Sequence, residues 1–247
     1  MVRNRYELKL IRESGKISTQ ALKHVLKNIK VGIRGLELDE IAQKKILDLG
    51  GQPSFKTVPG YKWTICVTIN EQVVHGIPTD RKITSGDIVS IDLGAIFKGW
   101  HTDCAWTILL GENPEKEKFL QVGEKALWEA VAQAISGNRI GDVSHAIQMR
   151  IEGGGYYVVR SLVGHGIGKK LHEEPEVPGF GRKNTGMVLK EGMTLAIEVI
   201  YTKGTSEVIL EKDGWTFSSA DKSWAAVFEM TVIVGKNKAE VVTNLGV

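Results

Sequence analysis

The spacing of apolar residues changes character three times along this chain, and the order of those changes limits its fold more than any single motif does. Between residues 5 and 30, Leu8, Ile11, Ile17, Ala21, Leu22, Val25 and Ile29 recur at helical spacing, interrupted only by Gly15. After Val31-Gly32-Ile33-Arg34-Gly35 the spacing resumes at Leu38, Ile41, Ala42, Ile46 and Leu49, until Gly50-Gly51 ends it. From about Lys62 the period falls to two: segments 63–69, 88–96 and 100–109 are rich in β-branched and aromatic residues and predict strands. Segments 114–136 and 143–151 return to helical spacing, and 156–163, 194–201 and 225–234 read as strands again. Helices, strands, helices, strands imply two half-units of similar make-up around one core, an α+β fold. Gly153-Gly154-Gly155 is too short to be a linker, so residues 1–247 are expected to form a single domain.

Several function classes are disfavoured. At 247 residues and 42% hydrophobic, the chain can bury roughly three quarters of its unfolded surface and needs no staples. Its two cysteines, Cys66 and Cys104, make neither a disulfide framework nor a zinc-finger spacing, which points to a reducing compartment and a cytoplasmic location. No basic start followed by an apolar run, and no stretch of about 18 apolar residues, suggests secretion or a membrane span. The net charge of +3 does not announce a DNA binder. It is unevenly spread, however, with eleven Lys/Arg against five Asp/Glu in residues 1–45. That end is either a solvated helical face or a surface for RNA or another polyanion.

The chemistry gathers in five places. If segments 88–96 and 100–109 fold back about Phe97/Lys98, Asp92 and Asp103 become directly opposed, with Cβ atoms about 4.5–5.5 Å apart. Two carboxylates there repel unless one is protonated or a cation lies between them, although a surface hairpin or a slipped register would also relieve them. His165 sits in Gly164-His165-Gly166-Ile167-Gly168, read as a glycine-rich loop that also carries His172. Glu198 and Glu229 interrupt apolar strands, where burying a charge costs several kcal/mol without compensation. Each could instead lie on a solvent face shared with Thr194 or Thr231. Taken together, four carboxylates and one imidazole balance two divalent cations and outline a two-metal site for Mn, Fe(II), Co or Zn.

The ordered set Asp92, Asp103, His165, Glu198 and Glu229, with gaps of 11, 62, 33 and 31, together with Asn70-Glu71 and His75-Gly76-Ile77-Pro78, closely resembles the type I methionine aminopeptidases over essentially the whole chain. The resemblance implies the pita-bread fold, two pseudo-symmetric half-units of helices and curved antiparallel sheet around a dinuclear metal site. It makes Asp92, Asp103, His165, Glu198 and Glu229 the metal ligands, with Asp103 and Glu229 bridging. His75 and His172 would contact the scissile peptide, Glu198 would also act in catalysis, and Tyr61, Cys66 and Trp215 would line the methionine pocket. The implied reaction removes an N-terminal methionine from peptides and nascent chains with a small second residue. The chain is expected to be a monomer, and the basic charge of its N-terminal helices, rather than the resemblance, would permit a transient contact with the ribosome. Leu171, Val199 and Val227 depart from the family pattern and bear on pocket shape and turnover; none removes a ligand. Proline-specific peptidases of the same fold are the nearest rivals, but usually carry a large N-terminal domain.

Overall fold

The chain opens with two helices. A computed structural model describes residues 1–246. In it, α1 (Arg5–Asn28) opens on Asn4, whose side chain accepts from the Glu7 amide at 3.0 Å while the Glu7 carboxylate accepts from the Asn4 amide at 2.8 Å. The second helix, α2 (Gly35–Asp48), packs on the first. The strands β1 (Gln52–Pro53), β2 (Ile65–Ile69), β3 (Gln72–Val74), β4 (Ile88–Phe97) and β5 (Trp100–Leu109) complete the first half. The second half repeats the plan with α3 (Pro114–Ala132), α4 (Ile140–Gly153), β6 (Tyr157–Val158), β7 (Val163–Gly166), β8 (Glu173–Pro178), β9 (Thr194–Thr202), β10 (Val208–Leu210), β11 (Phe217–Ser219), β12 (Ala225–Ile233) and β13 (Glu240–Val241).

The long strands form one antiparallel sheet in the order β1-β4-β5-β12-β9-β7-β8, so that β5 against β12 joins the halves. Helix α1 lies on β4 and β5, and α3 lies on β9 and β12. Strand alternation divides the side chains between two buried faces. Ile91, Leu93, Cys104, Ile197, Val199, Phe228 and Met230 point to the helices and join the main apolar core. The residues between them point to the other face, where the candidate site lies. Gly15, the apparent flaw in α1, has a packing role: a Cβ there would come within 2.6 Å of the Val242 carbonyl oxygen. Among the described residues no helix is long and apolar enough to cross a membrane.

Three sequence expectations need correction. The β4–β5 hairpin turns at Lys98-Gly99, with φ of 49° and 77°, so Phe97 pairs with Trp100 and Asp92 with Ala105. Both central residues have the positive φ that a tight two-residue hairpin turn demands. Asp92 and Asp103 are therefore diagonal rather than opposed, displaced by two positions and still on one face. The second correction concerns His165, which lies in β7 rather than a loop. Its flanking glycine is bare for packing, since a Cβ on Gly164 would come within 2.5 Å of the Ala196 carbonyl oxygen. Finally, the strand expected over 156–163 shrinks to two residues against β9.

Candidate metal centre

Two adjacent rows of the sheet build the floor of the site. In one, Asp92 pairs with Ala105, Ala105 with Glu229, and Glu229 with Glu198, so three acids cross four strands side by side. In the next, Gly94 pairs with Asp103, while Ala196 pairs with both Thr231 and His165. Gly94 is bare because Ser54 packs over it, where an added Cβ would come within 2.7 Å of the Ser54 Cβ. Thr231 ties the two halves together at the β5–β12 seam, accepting from the Asp103 amide at 2.9 Å and donating to its carbonyl at 2.8 Å. Thr194 and Thr231 are buried, so neither glutamate is on a solvent face.

Asp103, His165 and Glu229 present donor atoms that all lie within 4.8 Å of one another, and all three residues are buried. His165 Nε2 is 3.4 Å from Glu198 Oε1. Its Nδ1 is 2.9 Å from the Gly166 carbonyl, which places the ring proton on Nδ1 and leaves the Nε2 lone pair toward the acids. Burial, then the neighbouring His172, lowers the His165 pKa to about 4, so the ring is neutral at pH 7. Burial pushes Asp103 up to about 7. Asp92, Glu198 and Glu229 are raised well above the carboxylate range, by burial first and then by the negative charges of the others in the cluster.

These residues fit a divalent cation. Asp92 Oδ1 and Glu229 Oε1 are buried with no hydrogen-bond partner, a costly state for a carboxylate oxygen unless something electropositive meets it. Oxygen donors with one neutral imidazole suit hard to borderline divalent ions.

Above the floor is a cavity of about 110 Å³, several times the roughly 10–15 Å³ that one water needs. All five floor residues line it, together with His75, His172, Tyr61, Cys66 and Trp215. Tyr61 is fixed by a hydrogen bond of 2.8 Å to the Ile65 carbonyl and stands edge-on to Trp215, with ring centroids 5.1 Å apart. Burial and the Asp92 charge push the Cys66 thiol up, so it packs as a small apolar group. His75 adopts φ of 58°, an uncommon backbone state for a non-glycine residue. The His172 ring stands edge-on to that of His165 at 4.4 Å. Both His75 and His172 have pKa values lowered by burial and are neutral at pH 7.

Phe55 and Val58 also line the cavity and carry no sequence signal of doing so, since they lie in a short turn, Phe55–Thr57, and just after it. Of the three departures from the family pattern, only Leu171 reaches the cavity. Val199 points to the helices, and Val227 joins a separate apolar cluster with Val74, so neither shapes the lining directly.

A buried carboxylate and imidazole floor beneath an apolar cavity defines a metal-dependent hydrolase. Comparison with known proteins narrows the class. The sequence profile of Metallopeptidase family M24 matches residues 9–236. Methionine aminopeptidase 1 of Bacillus subtilis is 41% identical over 240 residues, covering 97% of both chains. The crystal structure of a methionine aminopeptidase from Thermotoga maritima superposes with a TM-score of 0.96 at 39% identity, covering 99% of this chain and 100% of that one. A prolidase from Pyrococcus furiosus, at 24% identity and a TM-score of 0.81, shares the pita-bread fold, but this chain covers only 65% of it. The chain belongs to metallopeptidase family M24 and, within it, to the type I bacterial methionine aminopeptidases.

Proposed function

We propose that this chain removes the N-terminal methionine from peptides and nascent proteins, favouring a small second residue, by adding water across the first peptide bond. Family membership supplies the hydrolase class, the methionyl aminopeptidase activity and the need for a divalent metal. The assignment of roles rests above all on one observation, the two orphaned carboxylate oxygens of Asp92 and Glu229 on the cavity floor.

In this reading Asp92, Asp103, His165, Glu198 and Glu229 would hold two divalent cations; Co, Mn, Fe(II) and Zn all match the donors. A bound divalent metal would supply Lewis acidity that lowers the pKa of a water toward neutrality. Glu198, at the edge of the floor beside His165, takes up a proton and delivers it to the departing nitrogen. His172 donates a hydrogen bond to the carbonyl oxygen as charge grows there, and His75 holds the amide on the other side. Tyr61, Cys66 and Trp215 enclose the methionine side chain, an unbranched thioether suited to an aromatic-lined cavity.

Cleavage of Met-Ala-Ser by metal-stripped protein should appear only when Mn(II) or Co(II) is returned, with no comparable cleavage of an Xaa-Pro peptide. Full turnover after chelation would overturn the reading, and preference for Xaa-Pro would make the chain a proline-specific peptidase. His172→Ala should lower kcat by about 10²–10⁴ with metal content unchanged, the size of an electrostatic or acid–base contribution. Loss of metal from that variant, measured by elemental analysis, would make His172 a ligand instead.

The chain is proposed to act as a single-domain monomer in the cytoplasm. The exposed Lys16, Lys23 and Lys27 on α1 would give it a transient hold on the ribosome. Unchanged co-sedimentation with ribosomes after neutralising all three would remove that contact.

A further inference from the structure

Arg3 lies outside the stretch matched by the family profile, yet it makes a dense set of buried contacts beside the site. Its Nε donates to Thr194 Oγ1 at 3.3 Å and its Nη2 to the Ile167 carbonyl at 3.2 Å, while Nη2 also pairs with the Glu173 carboxylate. The guanidinium carbon lies 5.3 Å from the centroid of the buried Trp100 ring. The backbone here is fastened too: the Arg3 amide donates to the Gly192 carbonyl at 2.9 Å, and Val2 bridges to Met193.

What Arg3 grips is the segment that carries His172. Ile167 stands two residues after His165, and Glu173 follows His172 directly. One side chain thus holds both ends of the connection between β7 and β8. Gly168, inside that connection, has no side chain because a Cβ there would run into the Arg3 guanidinium. Glu173 closes the segment from within, accepting from the Lys170 amide at 3.0 Å. Thr194, the third partner, begins the strand that carries Glu198 and itself donates to the Ile167 carbonyl.

A buried ion pair adds little net stability over apolar packing, because desolvation offsets the attraction. Its better-attested effect is to fix geometry, and groups that meet a reacting substrate must be held to within about half an ångström. We propose that Arg3 is a positioning residue for hydrolysis, holding His172 against His165 through Glu173 and the Ile167 carbonyl. The proposal rests on the reading of His172 as a substrate-contacting group.

Two measurements on Arg3→Ala, Arg3→Lys and Glu173→Gln test it. In the metal-free chain, hydrogen exchange followed by mass spectrometry should speed up tenfold or more in residues 166–173 of Arg3→Ala, while β5 and β12 keep their protection. In Mn(II)-loaded protein, kcat on Met-Ala-Ser should fall about 10- to 100-fold, with KM changed less than threefold and metal content unchanged. Arg3→Lys, which keeps a charge near Glu173, should regain most of that loss, and Arg3→Ala combined with Glu173→Gln should be no worse than Arg3→Ala alone. If Arg3→Ala fails to fold, Glu173→Gln carries both comparisons. Exchange that rises evenly over the whole chain, or a kcat per folded, metal-loaded molecule equal to wild type, would overturn the proposal. A wild type inactive on this peptide with every metal would overturn the functional reading instead, and exchange in the metal-free chain would still decide whether Arg3 holds the segment.

Discussion

Glu229→Gln is expected to lower kcat/KM on a Met-Ala peptide by about 10³-fold or more, while the metal-stripped variant melts at the same temperature as stripped wild type or higher. Both halves follow from one geometry. Glu229 is flanked in its row by Glu198 and, through Ala105, by Asp92, with Asp103 on the adjoining row. Replacing its carboxylate with a neutral isostere removes about 4 kcal/mol or more of charge stabilisation when metal is needed, at tenfold per 1.36 kcal/mol. Without metal, burial and the neighbouring acids make Glu229 hard to ionise, so folding near pH 7 must take up a proton there or hold an unfavourable charge, and a neutral isostere removes that cost in favour of folding. A residue that merely packs the floor would show the reverse pattern, with lower stability and retained activity. Thermal melting of stripped protein together with steady-state kinetics separates the two.

The second large effect is a reversal of the pH dependence of stability by metal. The floor carboxylates have folded-state pKa values above their ordinary ones, with Asp103 near 7 and the other three raised well above that range by burial and mutual repulsion. The folded protein therefore retains protons that the unfolded chain has released. That stabilisation is complete below about pH 4 and is lost as pH rises through the folded values. The imidazoles of His75, His101, His165 and His172 act in the opposite sense, since their folded pKa values are lowered, but their effect is spent above about pH 6.5. Between pH 6.5 and 8.5 the carboxylates decide the slope. Metal-stripped protein should lose about 1.4 kcal/mol per pH unit for each retained proton, a fall in Tm of several degrees over the range. With saturating Mn(II) the sign changes, because cations compete with protons for the same oxygens and bind better as pH rises. Differential scanning fluorimetry at four pH values with and without Mn(II) checks this, and parallel slopes would show that the acids are not where the cation binds.

Much of this architecture could be read from spacing alone, because alternation and helical periodicity are local. Glu198 and Glu229 stood out as charges within apolar strands, and Asp92 and Asp103 as carboxylates brought together by a hairpin. The hairpin register expected from a turn on Phe97/Lys98 erred by two positions, and the one local signal for the observed turn is Gly99, which takes the positive φ that a two-residue turn on Lys98-Gly99 demands. An error of two keeps each side chain on its face, so the inference of a shared acid cluster survived a wrong pairing. The glycines around His165 misled for a different reason. Glycine serves flexible loops and tight strand packing alike, and only the approach of β9 to Gly164 separates the two. Phe55 and Arg3 had no local signal at all. Arg3 meets Glu173 across 170 positions, and such a contact appears only once the chain is folded.

The central claim is that four carboxylates and one imidazole from β4, β5, β7, β9 and β12 converge because cations belong between them. Diffraction from crystals soaked in Mn(II), with anomalous differences collected at the manganese edge, tests it most directly. Two peaks within ligand distance of Asp92, Asp103, His165, Glu198 and Glu229 are expected. A fully soaked crystal with no peak on that floor, or with manganese bound elsewhere and the five side chains engaged only with one another or with water, would contradict the account.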